Sequence, residues 1–231
     1  MIQNYFDKII CLNLDNRPDR WQEVSEQFVR AGLNGHVERY SAIKNNPMGW
    51  KYVPDSPHSM NRIKPESWPG AAGCMASHVN IWKMAKANNW KNVLVIEDDC
   101  DFVKHVQTRF NKHIKQVPTD WDILYFGGIH ETKGGMFVPK KIAPNVLKCK
   151  RLVTTTCYAI NHTCYDLAIN TILENEPEFY TAVDAYLAAR IQPKTNSYAI
   201  HPPLAWQRSS FSDVQNGNRD YSEIMRNKNI V

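Results

Sequence analysis

Three consecutive carboxylates, Glu97, Asp98 and Asp99, follow directly on the apolar run Val93-Leu-Val-Ile96. A strand buried on both faces reads as such a run, and its carboxyl end is where open α/β sheets place their ligands. Adjacent carboxylates repel one another, so the triplet is costly unless a cation sits among them. Hard divalent ions such as Mn²⁺ or Mg²⁺ take oxygen ligands and bridge to phosphates. A solvated acidic turn is the plain alternative. The preceding strand and the companion groups of residues weigh against it.

The first companion is Leu12-Asn13-Leu14-Asp15-Asn16-Arg17-Pro18-Asp19-Arg20. It reads as a strand, a turn and a helix start, with Arg17 and Arg20 placed for an anionic ligand. An Asp–Arg capping network is the competing reading. The second is Gly70-Ala-Ala-Gly73-Cys74-Met75-Ala76-Ser77-His78, whose small residues let a helix start come close to a ligand or a strand. Ser77 and His78 supply donors there. His78 reads as a hydrogen-bonding residue and not as a metal ligand, because no partner stands at i+4. The third is Val183-Asp184-Ala185-Tyr186, one carboxylate opening an apolar helix, either a first-turn acid or a general base. His201 then ends the last strand with an imidazole expected to reach the metal, and Arg208 opens the tail, placed to meet phosphate.

Holding these residues together requires alternating strands and helices. Residues 8–14 read as a first strand, followed by a helix capped by Asn16, with Pro18 in its first turn and Gly32 as its stop. A short strand follows at 37–41. Residues 44–70 hold five prolines (Pro47, Pro54, Pro57, Pro65, Pro69) without periodicity, a long loop of functional character. Helices are expected over 70–88, over 103–114, after a Thr163 cap, and over 182–191. Strands are expected at 92–96, 121–126, 152–160 and 198–200. A flexible loop or hairpin is expected over 129–150, and a polar tail from 207. The alternation predicts an α/β fold, a mostly parallel sheet sandwiched by helices, in a single domain. Residues 1–126 form its first half, 127–208 its second and 209–231 the tail.

The 231 residues suit one such domain, and 43% hydrophobic with 11% aromatic residues excludes a disordered chain. A net charge of +5 fits anionic small ligands. The densest basic cluster, Lys148 to Arg151, lacks the interleaved aromatics of a nucleic-acid groove, so no nucleic-acid partner is expected. Six cysteines without a C-x-x-C pair read as reduced thiols of a cytoplasmic protein. No secretion signal or membrane-length apolar run is seen, so any membrane contact is at most peripheral.

Taken in order, the motifs resemble glycosyltransferase family 25, the lipooligosaccharide and collagen galactosyltransferase group. The resemblance is carried by Leu12-Asn13-Leu14 with Arg17 and Arg20, and by Gly70-x-x-Gly73-Cys74-x-x-Ser77-His78-x-x-x-Trp82. It continues through Val95-Ile96-Glu97-Asp98-Asp99, Trp121-Asp122, Cys157-Tyr158-Ala159-Ile160, Val183-Asp184 and Ser212-Asp213. It implies a GT-A type (Rossmann-like) fold, inverting transfer of a hexose, usually galactose, from a UDP-sugar, and a glycan or other hydroxyl acceptor. A role in lipopolysaccharide biosynthesis goes with it. On this resemblance Glu97-Asp98-Asp99 is the metal-binding acidic motif, with Glu97 and Asp99 the ligands for Mn²⁺ or Mg²⁺ and His201, from its place at the end of the last strand, expected to join them. Asn13, Arg17, Arg20, Gly73, Ser77, His78 and Asp98 line the nucleotide-sugar site, and Asp184 is the base. A metal-dependent phosphohydrolase or nucleotidyltransferase, and an inactive carbohydrate-binding module on the same scaffold, are the competing classes.

Overall fold

The computed structural model describes residues 1–50, 64–174, 182–214 and 217–226. In chain order come β1 (Lys8–Asn13), α1 (Pro18–Ala31), β2 (Glu38–Ser41), α2 (Trp68–Ala87), β3 (Asn92–Glu97), β4 (Cys100–Phe102), α3 (Val106–His113) and β5 (Ile123–Tyr125). The second half contributes β6 (Ile129–His130), β7 (Lys140–Ala143), β8 (Val146–Lys148), β9 (Leu152–Val153), β10 (Cys157–Asn161), α4 (His162–Glu174), α5 (Val183–Tyr186) and β11 (Ser197–Ile200). Then follow β12 (Ala205–Gln207), β13 (Ser210–Ser212), β14 (Gly217–Arg219) and α6 (Ser222–Arg226).

One eight-stranded sheet spans both halves in the order β2-β1-β3-β10-β5-β11-β8-β7. Pairing is parallel for β1 with β2, β1 with β3 and β5 with β11, and antiparallel where β10 or β8 takes part. Two strands, β10 and β8, therefore run against the other six, and the sheet is mostly parallel. Alternate residues of each strand feed two separate cores. Ile10, Val93, Val95, Ile123, Tyr158 and Ala199 pack under α2, α4 and α5. Ile9, Cys11, Leu94, Ile96, Leu124 and Ala159 pack under α1 and α3. Burial on both faces is why β3 reads as an unbroken apolar run.

Local chemistry explains most element ends. Gly32 closes α1 with φ 65°, and the Leu33 amide donates to the Phe28 carbonyl at 2.8 Å. Pro18 opens that helix, but Arg17 rather than Asn16 stands at its N-cap, because the Arg17 amide already closes a turn onto Leu14 O at 2.9 Å. Thr163 lies inside α4 instead of capping it, and its hydroxyl donates to Asp122 Oδ1 at 2.6 Å. The helix expected over 103–114 begins later, at Val106 behind left-handed His105. The helix over 182–191 starts as α5 and continues as a π-turn through Leu187–Ile191. The 129–150 region contains the β7–β8 hairpin. The tail forms the β13–β14 hairpin and α6, which buries Met225. Pro54, Pro57 and Lys228 lie outside the described residues.

The single strand expected over 152–160 is two. β9 pairs with β6, β10 enters the main sheet, and Thr154 between them takes φ 78°. A positive φ on a β-branched residue is a strained conformation, held here by the contacts described below.

Among the described residues no helix is long and apolar enough to cross a membrane. α2 comes close to neighbouring backbone at Gly73, where an added Cβ would stand 2.3 Å from Ile43 O and 2.9 Å from Asn45 O. Alanine normally favours a helix over glycine by about 1 kcal/mol. Gly73→Ala is nevertheless expected to destabilise the fold by about 1–3 kcal/mol through overpacking against backbone. Chemical denaturation of the two proteins side by side measures this. An alanine variant as stable as the parent would mean that the 43–45 segment yields freely.

Candidate active site

β1 and β3 lie side by side in parallel, with Leu12 opposite Glu97, so the loops after both strands emerge at one edge. Asn13 is buried there and fully engaged. Its Nδ2 donates to Asp98 Oδ2 at 2.7 Å and to Arg17 O at 3.0 Å, while its Oδ1 accepts from Arg39 Nε at 2.8 Å. Arg20, carried on the first turn of α1, reaches Asp98 Oδ1 at 2.6 Å and Asp99 Oδ2 at 2.7 Å. β12 pairs with β4 and brings Gln207 into place, whose Nε2 donates to Asp99 Oδ2 at 3.1 Å. Asp99 Oδ1 is buried and has no hydrogen-bond partner.

Glu97, which lines both cavities, takes its partners from other elements. Its Oε1 accepts from Thr155 Oγ1 at 2.6 Å, and His78 Nε2 stands 3.4 Å away, an electrostatic contact rather than a well-formed hydrogen bond. The break between β9 and β10 explains Thr155: this segment runs beside the end of β3, and the Glu97 amide donates to Thr156 O at 2.9 Å. His78 Nδ1 lies 2.8 Å from Tyr158 Oη, which accepts from Trp82 Nε1 at 3.0 Å. A chain of side chains from α2 and β10 thus fixes the His78 ring behind Glu97.

Two cavities meet at this cluster. The first, of 340 Å³, runs between Leu12–Leu14, residues 42–45, Gly70, Ser77 and all three acids. The second, of 610 Å³, is bounded by Glu131, Thr154, Thr155, Asp184 and Tyr221. Cys74, Glu97, Gln207, Ser212 and Val214 line both. Asp184 is held from the second side, where its Oδ2 accepts from the Thr154 amide at 3.0 Å and its Oδ1 from the Ala185 amide at 2.7 Å. The strained Thr154 therefore serves both acids, aiming its own amide at Asp184 and the next side chain at Glu97. Glu131, which lines the second cavity, is held by an ion pair with buried Arg151.

Charge is unevenly compensated. Burial pushes the Asp99 carboxyl up to about 7, Arg20 offsets only part of this, and Glu97 and Asp98 add repulsion. Burial also raises Asp98 and Asp184. For Glu97 burial acts upward too, but His78, Thr155 and Arg20 outweigh it and hold the group below the ordinary carboxylate range. An orphaned carboxylate oxygen among acids that one guanidinium does not neutralise suits a hard cation, so the donor set fits Mn²⁺ or Mg²⁺.

The structure gathers most of the residues singled out from the sequence. Asn13, Arg20, Ser77, Glu97, Asp98 and Asp99 line the first cavity and Asp184 the second. Several have different employment from that expected. Ser77 pins residues 42–45 to α2, accepting from the Ile43 amide and donating to Gly73 O, both at 2.8 Å. Gly73 makes room for that backbone rather than for a ligand. Arg17 pairs with Asp19 and Asp213, and Arg208 with Asp101 at 3.1 Å and Glu23 at 2.7 Å, so the capping-network reading holds for Arg17. His201 lines neither cavity. Its amide donates to Asn145 O and its carbonyl accepts from Asn145 Nδ2. Thr155 and Gln207 carried no sequence signal, being 58 and 108 residues from the acids they touch. Cys74 carried one, since it stands at i−4 from His78.

A carboxylate cluster at a sheet edge where two ligand-sized cavities join lies where open α/β folds place their ligands. Residues 6–163 match the model for Glycosyltransferase family 25 (LPS biosynthesis protein), and the chain belongs to that family. Relatives include the human "Inactive glycosyltransferase 25 family member 3", 31% identical over 53% of this chain and 22% of that protein. A "Glycosyltransferase 25 family member" of Aedes aegypti is 32% identical over 52% of this chain and 21% of that protein. Human "Procollagen galactosyltransferase 2" is 28% identical over 61% of this chain and 23% of that protein. The chain thus matches about a fifth of the length of these relatives. A crystal structure of "a glycosyltransferase involved in the glycosylation of the major capsid of PBCV-1" superposes with a TM-score of 0.47 at 10% identity, covering 83% of this chain and 80% of that one.

Because Asp99 titrates higher when folded than when unfolded, its ionised form opposes folding above about pH 7, and this opposition is absent below its ordinary value. Asp99→Asn is therefore expected to melt at the same or a higher temperature than the parent at pH 8, each kcal/mol appearing as about 2–4 °C. The difference should fade as pH falls toward 4. Melting curves across this range check it, and a strongly destabilised variant at pH 8 would assign Asp99 a stabilising role.

Proposed function

We propose that this chain transfers a hexose, galactose in the first instance, from a UDP-sugar to a hydroxyl of a glycan or other acceptor with inversion at the sugar carbon. The observation that carries this is the confluence of the two cavities at Glu97, with the acids on one side and, on the other, a half-buried Asp184 that pairs with no cationic side chain among the described residues. The smaller cavity takes the nucleotide-sugar and the larger one the acceptor. The name of the human galactosyltransferase relative supports the choice of sugar.

The two backbone amides hold the Asp184 carboxylate in one orientation. From there it accepts the acceptor hydroxyl proton as the new carbon–oxygen bond forms and the bond from sugar carbon to phosphate oxygen breaks. UDP leaves carrying the electrons of that bond. Asp99 and Glu97 would hold Mn²⁺ or Mg²⁺, which supplies positive charge to the departing diphosphate. Arg20 contributes a second, fixed positive charge beside Asp98 and Asp99. His201 has no place in this set.

Incubation with a panel of UDP-sugars, Mn²⁺ and simple glycan acceptors should release UDP with one donor preferred. Release of inorganic phosphate or pyrophosphate instead would select a hydrolase or nucleotidyltransferase, and sugar binding without turnover would place the chain with the relatives named inactive. Asp184→Asn should lower kcat by about 10²–10⁴-fold. Because burial raises the Asp184 pKa and the base must be ionised, kcat/KM of the parent should rise with pH through a value above the ordinary carboxylate range. The same shift makes ionised Asp184 a cost to folding, so the variant should melt no lower than the parent at neutral pH.

A further inference from the structure

α2 carries Cys74 and His78 one turn apart on the side facing Glu97, the last residue of β3. One donor atom from each of these three residues lies within 4.8 Å of the others, a grouping found once among the described residues. His78 is 0% exposed, and its Nε2, turned into the cluster, has no hydrogen-bond partner. The opposite nitrogen is fixed by Tyr158 Oη at 2.8 Å, itself held by Trp82. A ring oriented through one nitrogen, with the other presented to a thiol and a carboxylate, is the outer-shell arrangement of a metal-binding imidazole. Cys74 lines both cavities, which gives an ion a way in, while the other five cysteines are buried.

We propose that Cys74, His78 and Glu97 form a site for a borderline divalent cation, Zn²⁺ by class, with its fourth position open to the cavities. Thiolate, imidazole and carboxylate together suit Zn²⁺ and its analogue Co²⁺, and they disfavour the hard ions that all-oxygen sites take. Binding sets the tautomer in which Nδ1–H donates to Tyr158 and Nε2 gives its lone pair to the metal, and the Cys74 thiol loses its proton to solvent. The site borrows Glu97 from the cluster assigned above to the sugar nucleotide. Its existence does not depend on that assignment, because binding is read without any substrate.

The probe is Co²⁺ added to the metal-free protein. The expected result is a near-ultraviolet thiolate-to-cobalt charge-transfer band, with visible bands of tetrahedral coordination, saturating at one equivalent and erased by Zn²⁺. Cys74→Ser, nearly the same shape, should lose the charge-transfer band while melting like the parent. Tyr158→Phe should keep the band but weaken binding by about 10–100-fold, since it removes the group that orients His78. The proposal is overturned by a parent protein without the band or by a band that survives in Cys74→Ser, which would put the thiolate elsewhere. A Tyr158→Phe variant with unchanged affinity would remove His78 from the ligand set.

Discussion

Negative charge buried at the end of one strand is the constraint around which this molecule is arranged. Glu97, Asp98 and Asp99 leave β3 in succession, and burial makes each ionised group expensive. The chain answers with partners drawn from distant places. Arg20 comes from α1, Asn13 from β1, Gln207 from β12 and Thr155 from the break before β10. What remains uncompensated is Asp99 Oδ1, buried and without a hydrogen-bond partner, on a residue that lines the smaller cavity. A site fully neutralised by its own residues would have nothing left to attract a cation.

The backbone between β9 and β10 shows how the larger cavity is tied to the smaller. A continuous strand over 152–160 would have pointed successive side chains to alternate faces and left the Thr154 amide in a ladder. The left-handed turn at Thr154 frees that amide for Asp184 and delivers Thr155 to Glu97. Two carboxylates on opposite sides of the site are oriented by neighbouring residues of one irregular segment. Displacement of either acid is therefore felt by the other.

Much of this was legible in the sequence. The apolar run ending in acids identified β3, and the strand–helix alternation gave the sheet and its two covered faces, because burial on both sides leaves an unmistakable composition. The acids, Asn13, Arg20 and Asp184 also fell where their neighbours in the chain suggested. Partners supplied by other elements were not legible. Nothing local marks Thr155 or Gln207, nor shows that Ser77 serves the 43–45 backbone. The His201 placement failed because a residue at a strand end is located only when strand order is known. β11 lies three strands from β3, with β10 and β5 between them. The β9–β10 break was hidden for a related reason: its residue types favour extended chain, and only tertiary contacts impose the turn.

The C-terminal hairpin bears on how specificity can diverge. Asp213 is clasped by Arg17 and lies 3.7 Å from Arg20, and its neighbours Ser212 and Val214 form a partition touched by both chambers. A change in that partition alters the shape of both chambers at once. Independent retuning is confined to walls that only one chamber owns, Ile43 and Asn45 on one side, Glu131 and Tyr221 on the other.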